Sequence, residues 1–255
     1  MEGRGKMIEF SELIIGSVED YDKLYDYVGK EAIDDYVVET LKRFVGTSCN
    51  KIVVEYPYHD KDFLSTYYCY YSQKFRSFPK KCYRLHIMGK DEVYYGYIVL
   101  RPTVKGTRLG TTYLSPKPLI NEEAYLMLAK YEAHIMDNKC EIKCFPWMKQ
   151  EVDISVCAHV AAWTILRYYG NKYHNYADTT MGAIAQKIKG DMGRKTPSNG
   201  LTPVQIADLF QEYGFSPIIR GGIKEENSKF LDEIMAYIES GIPIVGFISP
   251  KQHAV

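Results

Sequence analysis

The 255-residue chain has no excess of either charge, because its 32 Lys and Arg residues balance its 32 Asp and Glu residues. The balance holds on both sides of residue 140, with 20 residues of each sign before Glu141 and 12 of each from there on. The sequence therefore contains neither a basic half that would attract nucleic acid nor an acidic tail.

The chain also lacks a long apolar run. The longest such stretch, residues 156–166, is interrupted by His159 and is too short to span a bilayer. No apolar core follows the charged and glycine-rich residues 1–6, as it would in a signal peptide. The six cysteines are scattered and do not show the spacing of a disulfide framework. We therefore expect a soluble, cytoplasmic protein.

The first 140 residues are predicted to form an α+β region. The first fifty residues are predicted to be helical, because apolar residues recur every three or four positions between Val18 and Val45. Runs of β-branched and aromatic residues predict an antiparallel meander, and a short helix at 62–75 follows its first strand. The predicted strands are 51–58, 83–88, 93–100, 111–114, 125–136 and 140–145, of which 125–136 would also suit a helix.

From Pro146 onward the sequence alternates helices with short strands. Helices are predicted at 156–169, 180–189, 203–213 and 229–239, and each is followed by a glycine that ends it. The third helix has the clearest start, because Thr202 and Gln205 form a capping-box pattern around Pro203. Strands are predicted at 215–220, at 244–248 and from His253 to the last residue.

Cys157 is the candidate nucleophile, because it opens a largely apolar helix. A thiol at a helix N-terminus lies at the positive end of the helix dipole, beside free backbone N–H groups. Both features favour the thiolate, which is the reactive form of cysteine. The alternative role is that of a buried structural cysteine.

Gln150 and His253 are the candidate partners of Cys157, seven positions before it and 96 positions after it. The side-chain amide of Gln150 and the backbone N–H of Cys157 are suited to stabilise an oxyanion. His253 follows an apolar strand, and a histidine held by such an element suits a base for the thiol. A surface glutamine and a solvated histidine are the alternatives. His159 lies about 200° round the helix from Cys157 and faces away.

In this order, the features resemble the papain-like cysteine peptidases. The helix beginning CAHVAAW at Cys157 is followed by GLTPVQIADLFQEYG, LDEIMAYIESGIPIVGF and finally HAV at 253–255. The resemblance covers residues 145–255 and is greatest to the compact bacterial branch that includes the bacteriocin-leader peptidases. It implies that Cys157 attacks a carbonyl, that His253 holds and later donates the proton, and that Gln150 helps to stabilise the oxyanion.

Two features depart from the family pattern. Cys-Ala-His replaces the Cys-Gly or Cys-Trp that many relatives show at the nucleophile. The family also implies an Asn or Asp on the strand after the histidine, to orient its imidazole, whereas only two residues follow His253. We therefore expect the natural gene product to be longer and the catalytic domain to be truncated here.

Other functions remain open on the same residues. A papain-like shell that binds a peptide without cutting it is one alternative, and a deamidase or an acyl or peptidyl transferase is another, because a thioester can pass to several acceptors. A zinc site at Cys140 and Cys144 is disfavoured, since residues i and i+4 of a strand lie roughly 13 Å apart. The clustered tyrosines among the 23 favour half-buried sheet faces over a recognition surface.

The sequence thus predicts an α+β protein with two parts. Residues 1–140 form an N-terminal region of helices and an antiparallel meander, and residues 141–255 form a papain-like catalytic domain. The predicted function is a cysteine-dependent hydrolase that cleaves a peptide or amide bond of a peptide or protein substrate through a thioester. No cofactor is implied, since covalent thiol catalysis needs none, and neither a nucleic-acid partner nor a membrane span is expected.

Overall fold

The computed structural model describes residues 8–118, 125–151, 157–188, 201–220, 227–248 and 253–254. Contacts divide the chain into two compact units, one of Met1–Glu122 with Lys130–Lys149 and the other of Glu123–Ala129 with Gln150–Val255. The predicted boundary after residue 140 lies within a strand, Asn138–Cys144, which belongs to the first unit. Over the described residues the fold is α+β, and none of their helices is long and apolar enough to cross a membrane.

The first unit is built on a five-stranded antiparallel sheet in which each strand pairs with its neighbours in sequence order. The strands are β1 (Glu9–Ile14), β2 (Cys49–Tyr58), β3 (Cys82–Gly89), β4 (Tyr94–Leu100) and β5 (Leu109–Leu114). Strands β2 to β5 confirm the predicted meander. Strand β1 lies in a stretch that was predicted to be helical, and this prediction is wrong because pairing with β2, with Leu13 opposite Ile52, determines its conformation.

Two helices cover one face of this sheet and form the main core with it. They are α1 (Leu24–Val28), which follows a 3-10 turn at Val18–Lys23, and α2 (Asp35–Phe44). Their buried side chains, such as Leu24 and Leu41, pack against sheet residues such as Ile52 and Leu85. A third helix, α3 (Lys61–Cys69), is capped by the preceding residue, Asp60, whose carboxylate accepts a hydrogen bond from the backbone N–H of Phe63 at 2.8 Å.

A hairpin packs on the sheet through contacts of its second strand with β4 and β5. Its strands are β6 (Ala129–Ile135) and β7 (Asn138–Cys144). Side chains alternate between buried and exposed along β6, which confirms the strand rather than the helix that its composition also allowed. Beyond β7, Trp147 and Thr112 exchange backbone hydrogen bonds of 3.0 and 2.7 Å at the edge of β5.

The second unit contains four helices and a short antiparallel pair of strands among its described residues. They are α4 (Cys157–Lys172), α5 (Met181–Lys187), α6 (Pro203–Glu212), α7 (Asn227–Glu239), β8 (Phe247–Ile248) and β9 (His253–Ala254). The capping box at α6 is confirmed. The Thr202 hydroxyl accepts from the backbone N–H of Gln205 at 3.2 Å, and the side-chain Oε1 of Gln205 accepts from the backbone N–H of Thr202 at 2.9 Å.

Three predictions in this unit need correction. Gly170 does not end α4, which continues to Lys172. The predicted strand at 215–220 is not formed, since these residues pair with no strand of the described part of the chain; Phe215 stacks on Tyr176 with ring centroids 4.4 Å apart. The predicted strand at 244–248 is reduced to Phe247–Ile248, the two residues that end against β9. Val156 and Gly190, predicted to begin and to end helices, lie outside the described residues.

Candidate functional site

Cys157 is the first residue of α4, as the sequence predicts. Its side chain is half-buried, whereas most of the residues that follow it are buried: Ala158, His159, Val160, Ala162, Trp163, Thr164, Ile165, Leu166, Arg167 and Tyr168. A helix buried over most of its circumference is held by the surrounding core. The thiol of Cys157 therefore lies, partly accessible to solvent, at the start of a helix that is held in place by the core.

The far end of α4 is fastened to the segment that precedes α5. The Arg167 guanidinium donates to the Thr179 carbonyl at 2.7 Å and forms an ion pair with Asp178 at 3.2 Å. Gly170 allows a close approach, because a Cβ atom at this position would lie 3.1 Å from the carbonyl oxygen of Ala177. Buried polar contacts of this kind fix the orientation of the helix and hence the position of its first residue.

His253 lies on β9, beside the helix that carries Cys157. It pairs with Ile248 of β8, and Cα atoms of β9 lie within 8 Å of Cα atoms of α4. The structure therefore brings the predicted base and the predicted nucleophile onto neighbouring elements of one unit. The side chain of His253 lies outside the described residues.

Gln150 belongs to the same unit as Cys157 and is exposed. The backbone before it is anchored, since the carbonyl of Lys149 accepts a hydrogen bond from Arg101 at 3.1 Å. Glu151, directly after it, is 1% exposed. Residues 152–156, which connect this position to Cys157, lie outside the described part of the chain.

His159 is buried within the unit and does not reach the surface. It is 2% exposed, and burial lowers its pKa to about 4, so the imidazole is neutral at neutral pH. Its Nδ1 atom is buried and has no hydrogen-bond partner among the described residues. These features make His159 a poor general base.

Position and burial distinguish the six cysteines from one another. Cys49, Cys82 and Cys144 are buried, and burial raises the pKa of Cys144 to about 12. Cys69, Cys140 and Cys157 are half-buried, and burial also raises the pKa of Cys140. Cys69 ends α3, where its thiol donates to the Ser65 carbonyl at 3.1 Å. Cys157 alone among the six begins an α-helix.

The first unit contains a second cluster of titratable side chains, which sequence reasoning missed. Glu55 on β2 binds Arg84 and His86 on β3 through the same carboxylate oxygen, and the His86 contact measures 3.1 Å. The other ring nitrogen of His86 lies 2.8 Å from the Tyr94 hydroxyl on β4. Since a carboxylate only accepts, Nε2 of His86 donates to Glu55. The sequence signal that could have indicated this cluster is the acidic residue in the otherwise apolar run IVVEY.

The centre of this second cluster is buried. His86 is 0% and Glu55 is 4% exposed, and burial lowers the pKa of His86 below its ordinary value despite the bond to Glu55. Arg84 also donates to the His134 carbonyl of β6 at 2.9 Å, which ties the hairpin to the sheet. Glu55 and His86 are thus closed to a substrate, whereas Arg84 and Tyr94 are half-buried.

Two arrangements thus stand out among the described residues, a half-buried thiol at a helix N-terminus and a largely buried polar network across three strands. The first is of the kind found in cysteine-nucleophile enzymes. Comparison with protein-family models, with curated proteins and with solved structures finds no match for this chain.

Proposed function

We propose that this chain is a cysteine-dependent hydrolase of papain-like architecture, with Cys157 as nucleophile and His253 as general base. One observation carries the proposal: Cys157 begins the buried helix α4, and the strand that bears His253 runs beside that helix. Under this proposal, α4 and the β8–β9 pair are the two walls that hold the reacting groups.

The reaction would proceed through a covalent thioester. The Cys157 sulfur attacks the carbonyl carbon of a peptide or amide bond, and its proton passes to His253. His253 then protonates the departing amine, and a water molecule, deprotonated by His253, hydrolyses the thioester to release the acid and restore the thiol.

Oxyanion stabilisation is the role proposed for Gln150. Its side-chain amide and the backbone N–H of Cys157 would donate to the oxygen that becomes negative in each tetrahedral intermediate. Removal of one such donor typically lowers kcat by about 10²- to 10³-fold. A Gln150→Ala variant that kept full turnover would exclude this role.

The test of the proposal is the rate at which each thiol reacts with iodoacetamide, followed site by site by mass spectrometry. Cys69 is the matched control, because it is half-buried like Cys157 but ends a helix instead of beginning one. The N-terminal end of a helix stabilises a thiolate and the C-terminal end destabilises it. We therefore expect Cys157 to react at least about tenfold faster than Cys69 near neutral pH.

Replacement of the base separates activation from simple accessibility. His253→Ala should slow the labelling of Cys157 and leave that of Cys69 unchanged, because only a thiol paired with the imidazole loses its proton acceptor. His174→Ala is the control, since His174 is an exposed histidine of the same unit. Equal labelling of Cys157 and Cys69 in the unmodified protein would refute the proposed nucleophile and favour a non-catalytic binding module.

A further inference from the structure

One surface loop of the first unit carries positive charge that no carboxylate of the described residues neutralises through an ion pair. Between Phe63 and Lys90 the sequence contains no Asp or Glu, although acidic and basic residues are equal in number overall. Four cations fall in residues 74–81, here called the cationic loop, which connects the turn after α3 to β3: Lys74, Arg76, Lys80 and Lys81. None of the four forms an ion pair with a carboxylate of the described residues.

Aromatic rings beneath the cationic loop hold it in place. Phe78 packs on Tyr71 with ring centroids 4.7 Å apart, and Tyr71 lies 5.9 Å from Phe63, which is 1% exposed. Lys80 lies over the rings of Tyr67 and Tyr68, at 5.0 and 4.8 Å from their centroids. These contacts position the cations without cancelling their charge.

Phe75, the other aromatic side chain of this loop, makes no ring contact with another described residue. Its relative exposure is 112%, the highest of the large apolar residues described, and Lys74 and Arg76 flank it directly. Leaving a phenylalanine fully in water forfeits about 1.5–3 kcal/mol of burial free energy. An apolar tip within a group of unpaired cations has the chemistry of a site that enters a charged apolar interface.

We propose that the cationic loop docks on an anionic lipid surface, with Phe75 inserted between the lipid headgroups. Lysine and arginine side chains near a bilayer are attracted to acidic headgroups, and aromatic rings partition to the interfacial region. The long side chains can lie along the surface while the phenyl ring enters it. This role is independent of the hydrolase proposed above.

Single-stranded nucleic acid fits the same surface less well. Binding of that kind requires several open ring faces on which successive bases stack. Here lysine ammonium groups cover the faces of Tyr67 and Tyr68, and Lys74 lies 4.0 Å from the ring centroid of Tyr70. Phe75 by itself offers one ring, so the observations favour a lipid surface.

The experiment measures binding of the full chain to vesicles of phosphatidylcholine, with and without phosphatidylserine, by co-sedimentation. The triple variant Lys74→Gln, Arg76→Gln, Lys80→Gln should bind the anionic vesicles roughly a hundredfold more weakly, at about fivefold for each cation. Phe75→Ala should weaken binding by about tenfold, because it removes the inserted ring. Added salt should weaken binding of the unmodified protein.

Matched controls come from the same unit. Phe44→Ala removes another exposed phenylalanine with an arginine guanidinium 5.2 Å from its ring. A second triple variant, at Lys105, Lys130 and Lys139, removes the same charge from positions that are paired with carboxylates. Both controls should stay within about twofold of the unmodified protein, since neither touches the loop.

Several results would overturn the proposal: no binding to either vesicle, equal binding to both, or equal loss in the loop and control triple variants. Tighter binding of a single-stranded oligonucleotide through the same loop residues would also overturn it. A Phe75→Trp variant in which Trp147 and Trp163 are replaced by phenylalanine gives an independent reading, because the emission of residue 75 should shift to shorter wavelength on anionic vesicles only. An unshifted emission in the presence of bound vesicles would contradict the insertion of residue 75.

Discussion

The buried carboxylate of Glu55 allows a sharp test of the first unit. Its side chain is 5% exposed, and one of its oxygens receives both Arg84 and His86. Removing one partner of a buried ion pair typically costs about 3–5 kcal/mol, because the other charge is left unpaired in the interior. Without Glu55, Arg84 would keep two other interactions: it donates a hydrogen bond to the His134 carbonyl, and its guanidinium carbon lies 4.2 Å from the ring centroid of Tyr58.

Two substitutions at this position separate charge from hydrogen bonding. Glu55→Gln keeps an oxygen that can accept from both partners, so we expect a loss of about 2 kcal/mol in the free energy of unfolding. Glu55→Leu removes the acceptor as well and should cost about 4 kcal/mol. Glu12→Gln is the control, because Glu12 is an exposed carboxylate whose ion pair with Lys51 should contribute less than about 1 kcal/mol.

The measurement uses the only two tryptophans, because one lies in each unit. Trp147 belongs to the first unit and Trp163 to the second, so a Trp163→Phe background leaves a fluorescence signal from the first unit alone. Urea unfolding followed in this background gives the free energy of that unit. If Glu55→Leu lowered it by no more than Glu12→Gln does, the assignment of Glu55 as the buried partner of both cations would be refuted.

Two further predictions concern the second unit. His159 has a pKa of about 4 in the folded state, below its unfolded value of about 6.5. The contribution of neutral His159 to the free energy of unfolding is therefore complete above pH 6.5 and should fall by roughly 3 kcal/mol as the pH drops to 4. In His159→Leu this pH dependence should disappear from urea unfolding followed through Trp163. If the free energy of unfolding fell with pH as steeply as in the unmodified protein, the prediction would be contradicted. Thr202→Ala should cost about 1 kcal/mol by removing the cap of α6, whereas Thr202→Ser should cost little; equal losses in thermal unfolding would exclude the capping contact.

Local signals in the sequence account for most of the elements that the structure describes. The Thr202–Gln205 pattern needs only residues three apart, so it correctly placed the start of α6. The alternation of buried and exposed side chains in β6 likewise depends on a short stretch alone. The position of Cys157 at the start of α4 follows from the same kind of local pattern.

Features that depend on distant partners were missed or assigned incorrectly. Strand β1 forms because β2 pairs with it, some forty residues away along the chain. Gly170 has the composition of a helix stop, yet it lies within α4 because the Ala177–Asp178 backbone packs against the space where a side chain would be. In both cases tertiary contacts outweigh a local preference of about 1 kcal/mol.

The sequence by itself determined the α+β class, the meander and the residues that form the candidate site, because spacing and periodicity act over a few positions. Only the tertiary structure decided that β9 lies beside α4, and that Glu55, Arg84, His86 and Tyr94 form one network. Such relations join residues that are far apart along the chain and depend on how strands pair and side chains are buried. Burial in turn lowers the pKa of His86 and of His159, because desolvation is a property of the folded interior and not of the sequence alone.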